Sequence, residues 1–228
     1  MAEPAEVIDV RNISRTYRMG EVEVPALAGV SITVRRGDFL IVTGRNGSGK
    51  STLLHQLGLL DRPDSGTIHL NGAEVTSMRE KERSALRLRD IGYIFQEFAL
   101  IAELTALENV MLPAMMLERT GACRKRAHGL LELVELKRQS DHLPRQLSGG
   151  EQQKVAIARA LINDPSVIIA DEPTANLDLV AAEDALSVFK RLNSEANHTI
   201  VMVTHEHEET VYGNRLITLS DGKIIHEE

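Results

Sequence analysis

Eight consecutive residues constrain this chain more than any others: Gly44-Arg45-Asn46-Gly47-Ser48-Gly49-Lys50-Ser51. They follow an apolar run at residues 39–43 and open a helical pattern, beginning with Lys50, Ser51 and Thr52, that reaches about residue 60. Glycines let successive backbone N–H groups turn to one side, and a helix start adds partial positive charge. Strand, glycine-rich loop and helix in that order form a phosphate cradle. Lys50 then neutralises the β- and γ-phosphates of a nucleotide, and the Ser51 hydroxyl ligates Mg²⁺. A glycine-rich turn that holds nothing is the bland alternative, and the strand–loop–helix context speaks against it.

The rest of the chain supplies the sheet and helices that such a loop needs. It has 228 residues, 43% hydrophobic and 26% charged, enough for one large domain. A formal net charge of −7 argues against nucleic acid as a partner. The longest apolar stretches, at 167–170 and at 110–117 around Pro113, fall short of the ~20 residues of a membrane span. Met1-Ala2-Glu3-Pro4-Ala5-Glu6 has neither a basic nor an apolar region, so no secretory signal is expected. The one cysteine, Cys123, suits a reducing cytosol and reads as a helix-surface thiol beside Arg124, Lys125 and Arg126.

Strands are expected at 7–10, 30–34, 39–43, 66–71, 91–95, 167–170, 199–204, 216–220 and 223–226. Helices are expected at 78–89, across 99–143 with breaks near Gly121 and Asp141, from Ser148 to Asn163, and at 179–196. Alternation of strands and helices in the second half implies a parallel sheet. The expected organisation is a single domain over 1–228. Residues 1–96 and 164–228 form an α/β core lobe, and 97–163 form a helical lobe.

Two further motifs carry chemistry. The run Val167-Ile168-Ile169-Ala170 ends in Asp171-Glu172, two carboxylates at the carboxyl end of a buried strand, where ligands of α/β sheets sit. Asp171 would support the Mg²⁺ hydration shell and Glu172 would polarise an attacking water, which tilts the reaction toward hydrolysis. The second is Leu147-Ser148-Gly149-Gly150-Glu151-Gln152-Gln153. Ser148 with Glu151 makes a capping box, but two glycines at a helix start cost stability. They read as a second anion site with accessible N–H groups.

Over essentially its full length the sequence resembles the nucleotide-binding domains of ABC transporters. Residues 44–51 match their Walker A motif, 167–172 the Walker B motif and 147–152 the signature, with Glu151 where the family often has Gln. The resemblance implies an α/β fold: a P-loop NTPase core with a mixed sheet, an N-terminal antiparallel β subdomain and a helical subdomain carrying the signature. It implies that Tyr17 stacks on adenine and that Gln96 ligates Mg²⁺ and links to a membrane partner. Thr174-Ala175-Asn176-Leu177-Asp178 matches the D-loop and His205 the switch histidine. It also implies a homodimer holding two ATP between one chain's Walker A and the other chain's Ser148, Gly149, Gly150 and Glu151. Gly20-Glu21-Val22-Glu23-Val24, residues 59–63 and residues 103–110 are most similar to the lipoprotein-release and macrolide-export group. Arg45-Asn46, Ala175 and Leu179 depart from its usual residues without removing a catalytic group.

Some readings stay open at this level. Residues 98–101 and Leu104 serve either as helical-lobe core or as a groove for a helix from an integral membrane permease, so residues 96–104 are the expected contact. Met111, Met115 and Met116 are expected to fill core gaps, and 79–89 to form a solvated helix face. His205 and His207, with His198 nearby, are not a metal site on this spacing. The expected place is cytoplasmic, on the inner face of the membrane. The same ATPase residues equally serve a cycle that signals across a membrane without transport; a soluble ABC ATPase of repair or translation would carry a long insertion or a second nucleotide domain.

Overall fold

The computed structural model describes residues 5–20, 22–117 and 120–228, with Met19 and Thr120 described by backbone alone. Glu21 of the 20–24 motif and Met1–Pro4, on which the expectation of no secretory signal rests, lie outside these residues.

Two sheets divide the strands. β1 (Glu6–Met19) and β2 (Val22–Arg35) pair antiparallel through several register shifts. β4 (Ser65–Leu70) pairs the other edge of β1, and β5 (Ala73–Glu74) completes the order β2-β1-β4-β5. Apolar residues marked only the buried centres of β1 and β2, because a ladder of backbone bonds continues through polar positions and bulges.

β3 (Phe39–Gly44) lies inside the second sheet, ordered β10-β9-β3-β8-β7-β6 among the described residues. The others are β6 (Ile91–Ile94), β7 (Val167–Asp171), β8 (Ile200–Val203), β9 (Arg215–Ser220) and β10 (Lys223–Glu227). From β9 to β6 the strands run parallel, and β10 folds back antiparallel on β9. Alternate residues feed two cores. Phe39, Ile41, Ile168, Ala170, Ile200 and Met202 face one, shared with the helical segment. Leu40, Val42, Val167, Ile169, Val201 and Val203 face the other, shared with the antiparallel sheet. Each such aliphatic side chain contributes about 1.5–3 kcal/mol on burial, so this sheet fixes the positions of the loops at its carboxyl edge.

Six α-helices cover the sheet among the described residues: α1 (Lys50–Leu57), α2 (Glu80–Asp90), α3 (Ala106–Met115), α4 (Thr120–Leu133), α5 (Gly149–Leu161) and α6 (Leu179–Ser194). α1 stops before residue 60 because Leu59 takes a left-handed φ of 56°. The expected helix from 99 begins only at 106. Phe98 and Ala99 sit at φ 58° and 50°, incompatible with a helix, and Thr105 with Glu108 caps the start of α3. Buried Asn109 braces the irregular stretch, with its side-chain oxygen accepting from Ile101 N–H and its amide donating to the carbonyls of Ile101 and Leu104.

Three side-chain expectations need correction. Cys123 is buried, not on a helix surface: with Ala127 and Leu131 it falls on the inner face of α4, and Val134 just beyond the helix is buried too. Met111 fills the core, but Met115 and Met116 are 47% and 71% exposed, at the end of α3. In α2, Arg83 is buried and donates to the Asp61 carbonyl, and Arg87 to that of Leu59, so this face is partly used to hold the 59–61 turn.

Candidate functional site

The centre of the parallel sheet delivers the phosphate loop. Gly44, at the end of β3, has φ 148°, and a Cβ there would lie 2.3 Å from the Leu219 carbonyl oxygen. Gly49, the N-cap of α1, has φ 104°, and its Cβ would lie 2.3 Å from the Ala26 carbonyl oxygen. Only glycine fits either position. Gly47 faces open space. Lys50 is buried, and its Nζ donates to the carbonyls of Gly44 at 2.8 Å and Arg45 at 3.3 Å. Among the described residues no carboxylate pairs with it. No side chain caps α1, and no acidic residue lies in its first turn. Buried Ser48 leaves its Oγ without a protein partner. Ser51 is exposed and Thr52 half-buried beside it. Orphaned amides, an orphaned hydroxyl and an unpaired ammonium at one place fit an anion.

Asp171 and Glu172 emerge two strands away. Burial pushes the Asp171 carboxyl above the ordinary range; His55 opposes that shift, Glu172 adds to it and Lys50 opposes it. Glu172 has a left-handed φ of 41° and donates its N–H to the Val203 carbonyl. His205, just past β8, brings Nδ1 within 3.4 Å of Glu172 Oε1 and Nε2 within 3.1 Å of Glu206 Oε1. It also borders a depression lined by Gly44, Arg45 and Asn46. Glycine loop, paired carboxylates and His205 thus share one sheet edge.

Gln96 follows β6 and is exposed; its carbonyl accepts from Asn176 Nδ2 at 2.9 Å, joining it to the segment after Glu172. Tyr17 donates its hydroxyl to Asp61 at 3.0 Å, and the Arg15 guanidinium covers its ring at 4.8 Å. The depression that Tyr17 lines contains Arg15, Arg18 and Asp64 and no phosphate-loop residue.

The signature residues stand elsewhere. Ser148 caps α5: its Oγ accepts Glu151 N–H at 3.3 Å, and the Glu151 carboxylate accepts Ser148 N–H at 2.8 Å. That bond from Ser148, ahead of the other contacts, holds the Glu151 carboxyl below the ordinary range. Gly149 faces Leu177, and a Cβ on Gly150 would lie 3.0 Å from Ala181 Cβ. Close packing on α6 therefore accounts for part of the double glycine. Asp178 caps α6 by accepting Ala181 N–H at 2.9 Å. Ser148, Gly150, Asp178 and the exposed Val180 line one surface depression, with no phosphate-loop residue among them.

Sequence patterns missed three connections. Thr174 binds Glu209, Asn176 binds Gln96, and half-buried Arg159 donates to the Ala99 and Phe98 carbonyls at 2.5 and 2.7 Å. Arg159 also lines a cavity of about 470 Å³ with Tyr93, Phe95, Pro113 and Met116, between α2, β6, α3 and α5. Residues 98–104 do not line that cavity; Leu100 instead packs against the core.

Comparison with known proteins agrees with this geometry. Residues 27–175 match the ABC transporter family model. A macrolide export ATP-binding/permease protein, MacB, of Chlorobaculum tepidum is 46% identical over 96% of this chain, which spans 34% of that protein's length. An uncharacterized ABC transporter ATP-binding protein of Methanocaldococcus jannaschii is 48% identical, with 96% of this chain and 98% of that one covered. The cassette MJ0796 of the same organism, solved as a dimer in a post-hydrolysis state bound to ADP and Pi, superposes with a TM-score of 0.89 at 41% identity over 97% of both chains. In motifs, topology and relatives alike, the chain belongs to the ABC transporter family, as an ATP-binding cassette.

Proposed function

We propose that the chain binds MgATP at residues 44–52, hydrolyses it as half of a head-to-tail homodimer, and drives a membrane permease. The observation that carries this reading is the uncapped α1 start, with Lys50 free of any carboxylate partner, on the same sheet edge as the Glu172–His205 pair. Gly44, Arg45, Asn46, Gly47 and Gly49 offer backbone amides and Ser48 its unpartnered hydroxyl to the phosphates, and Lys50 leaves the loop carbonyls for the β- and γ-oxygens. Glu172 orients a water and takes its proton as the water oxygen bonds to the γ-phosphorus. His205 donates to the transferring group, and ADP leaves with the β–γ bridging oxygen. Tyr17 supports the adenine on its ring, with Arg15 behind it.

Among the described residues no cluster of His, Cys, Asp and Glu could hold a metal alone. Mg²⁺ needs none, since it binds through one or two carboxylates plus substrate phosphates. The exposed Ser51 hydroxyl, Gln96 and, through water, Asp171 would hold it, and the ion would neutralise phosphate charge.

Ser148, Gly149, Gly150 and Glu151 present the second face of the nucleotide to the partner copy, beside Asp178. In this reading residues 97–163 turn as one helical lobe against a core of 1–96 and 164–228. The permease contacts the region 96–104 and the adjoining cavity, whose apolar wall suits a short helix. No helix among the described residues is long and apolar enough to cross a membrane, so the chain would sit on the cytoplasmic face of a separate or fused permease. The MacB relatives are named ATP-binding/permease proteins, which supports export or extraction of a lipoprotein, peptide or hydrophobic compound. Phosphate release by the purified chain with MgATP tests the enzymatic part, and ATP-dependent flux in vesicles holding the permease tests the transport part. No phosphate release, with or without the permease, contradicts the first; hydrolysis without flux contradicts the second.

A further inference from the structure

Glu172 and His205 arrive on neighbouring strands, and each continues into a turn. Beyond Glu172, Ala175 N–H returns to the Glu172 carbonyl and Leu177 N–H to the Thr174 carbonyl. Beyond His205, Glu206 N–H is held by Thr204 Oγ1, and a short 3₁₀ turn covers His207–Tyr212. One buried side-chain bond ties these turns together: Thr174 Oγ1 donates to Glu209 Oε1 at 2.5 Å, with the two residues 7% and 6% exposed. The other carboxylate oxygen, Oε2, is buried without a hydrogen-bond partner.

A half-satisfied carboxylate in the interior lowers stability relative to an apolar side chain of similar shape. Its place here points away from stability and toward geometry. Glu172 itself is strained at φ 41°, and strain of this kind persists where surrounding contacts over-determine it. We propose that Thr174 and Glu209 are a positioning pair that fixes the reach of Glu172 relative to His205, and so the placement of the attacking water. The inference rests on the hydrolytic reading of Glu172 given above. The Glu172–His205 contact at 3.4 Å closes one end of the two turns and the Thr174–Glu209 bond closes the other.

The test compares Thr174→Val, Thr174→Ser, Glu209→Leu and their double variant Thr174→Val/Glu209→Leu for kcat, for KM with MgATP and for melting temperature without nucleotide. Thr174→Val and Glu209→Leu are each expected to lower kcat about tenfold, as small misplacements of reacting groups do. KM is expected to stay within about twofold. Thr174→Ser, which keeps the hydroxyl, restores most of kcat. Glu209→Leu melts no lower than the parent, and the double variant is no slower than either single one. Unchanged kcat in a folded Thr174→Val or Glu209→Leu chain overturns the pair. So does a kcat loss that follows melting temperature across the series, which marks a purely structural role. Glu172→Gln measured in parallel separates the two claims: full turnover there sinks the hydrolytic reading itself, whereas lost turnover with unaffected Thr174→Val sinks only the tether.

Discussion

Two helix starts in this molecule use the same elements to opposite effect. α1 begins at Gly49 with no capping side chain, no acid in its first turn and a buried lysine beside it. α5 begins at Ser148 with a closed capping box, in which its own Glu151 carboxylate accepts the Ser148 N–H. Orphan amides leave the first hungry for phosphate, whereas the second has satisfied part of its need internally. In the proposed reading a single chain thus holds a strong half of a nucleotide site and a weaker half facing elsewhere. That asymmetry suits a site completed by a second copy, in which the strong half binds first and the weak half closes on a phosphate already held.

The largest effect that separates the two starts is expected from Lys50→Ala. Turnover should fall by at least about 10²–10³-fold, the scale of losing one preorganised charge-stabilising group; phosphate release measures it. Equal loss from Ser148→Ala would erase the distinction. Ser148→Ala is expected to cost about 1 kcal/mol of stability through the lost cap, read as a lower melting temperature, and to weaken nucleotide-dependent pairing with little change in the binding of ATP to one chain.

The smallest effect is electrostatic. Bonding to Ser148 N–H holds the Glu151 carboxyl below its ordinary range. A depressed folded-state pKa contributes stability that is present above the unfolded value, roughly 4.3, and is lost as pH falls through the lowered one. Glu151→Gln should therefore flatten the acid side of the melting curve against pH. It should also strengthen ATP-dependent pairing at neutral pH, because a negative charge no longer faces the incoming phosphate. Pairing weaker than in the parent chain would show that the carboxylate is needed for the cap more than it repels the ligand.

The phosphate loop was legible because its demands are local. Gly44 and Gly49 meet carbonyls at a distance no Cβ tolerates, and the Lys and Ser follow at fixed spacing. β7 and β8 were legible for the same reason, as short apolar runs buried on both faces. What stayed hidden was non-local or conformational. The left-handed Phe98 and Ala99 are not glycines, so nothing in their residue types announced the end of a helical pattern. Arg124, Lys125 and Arg126 obscured Cys123, although Cys123, Ala127, Leu131 and Val134 follow helical spacing to one buried face. Met115 and Met116 have core composition but are exposed at the end of α3, where Met116 borders the cavity between α2, β6, α3 and α5. Thr174 and Glu209 are 35 residues apart and meet only because two adjacent strands deliver them. The same applies to the double glycine of α5: in the sequence it reads as accessible N–H groups for an anion, and the structure adds Ala181 packed against Gly150.

The central claim is that two copies complete each nucleotide site. Its most direct measurement is size-exclusion chromatography of Glu172→Gln with millimolar MgATP, which blocks hydrolysis while leaving both helix starts intact. The account predicts elution as a dimer that reverts to monomer when ATP is replaced by ADP. A species that remains monomeric with saturating MgATP bound would contradict it.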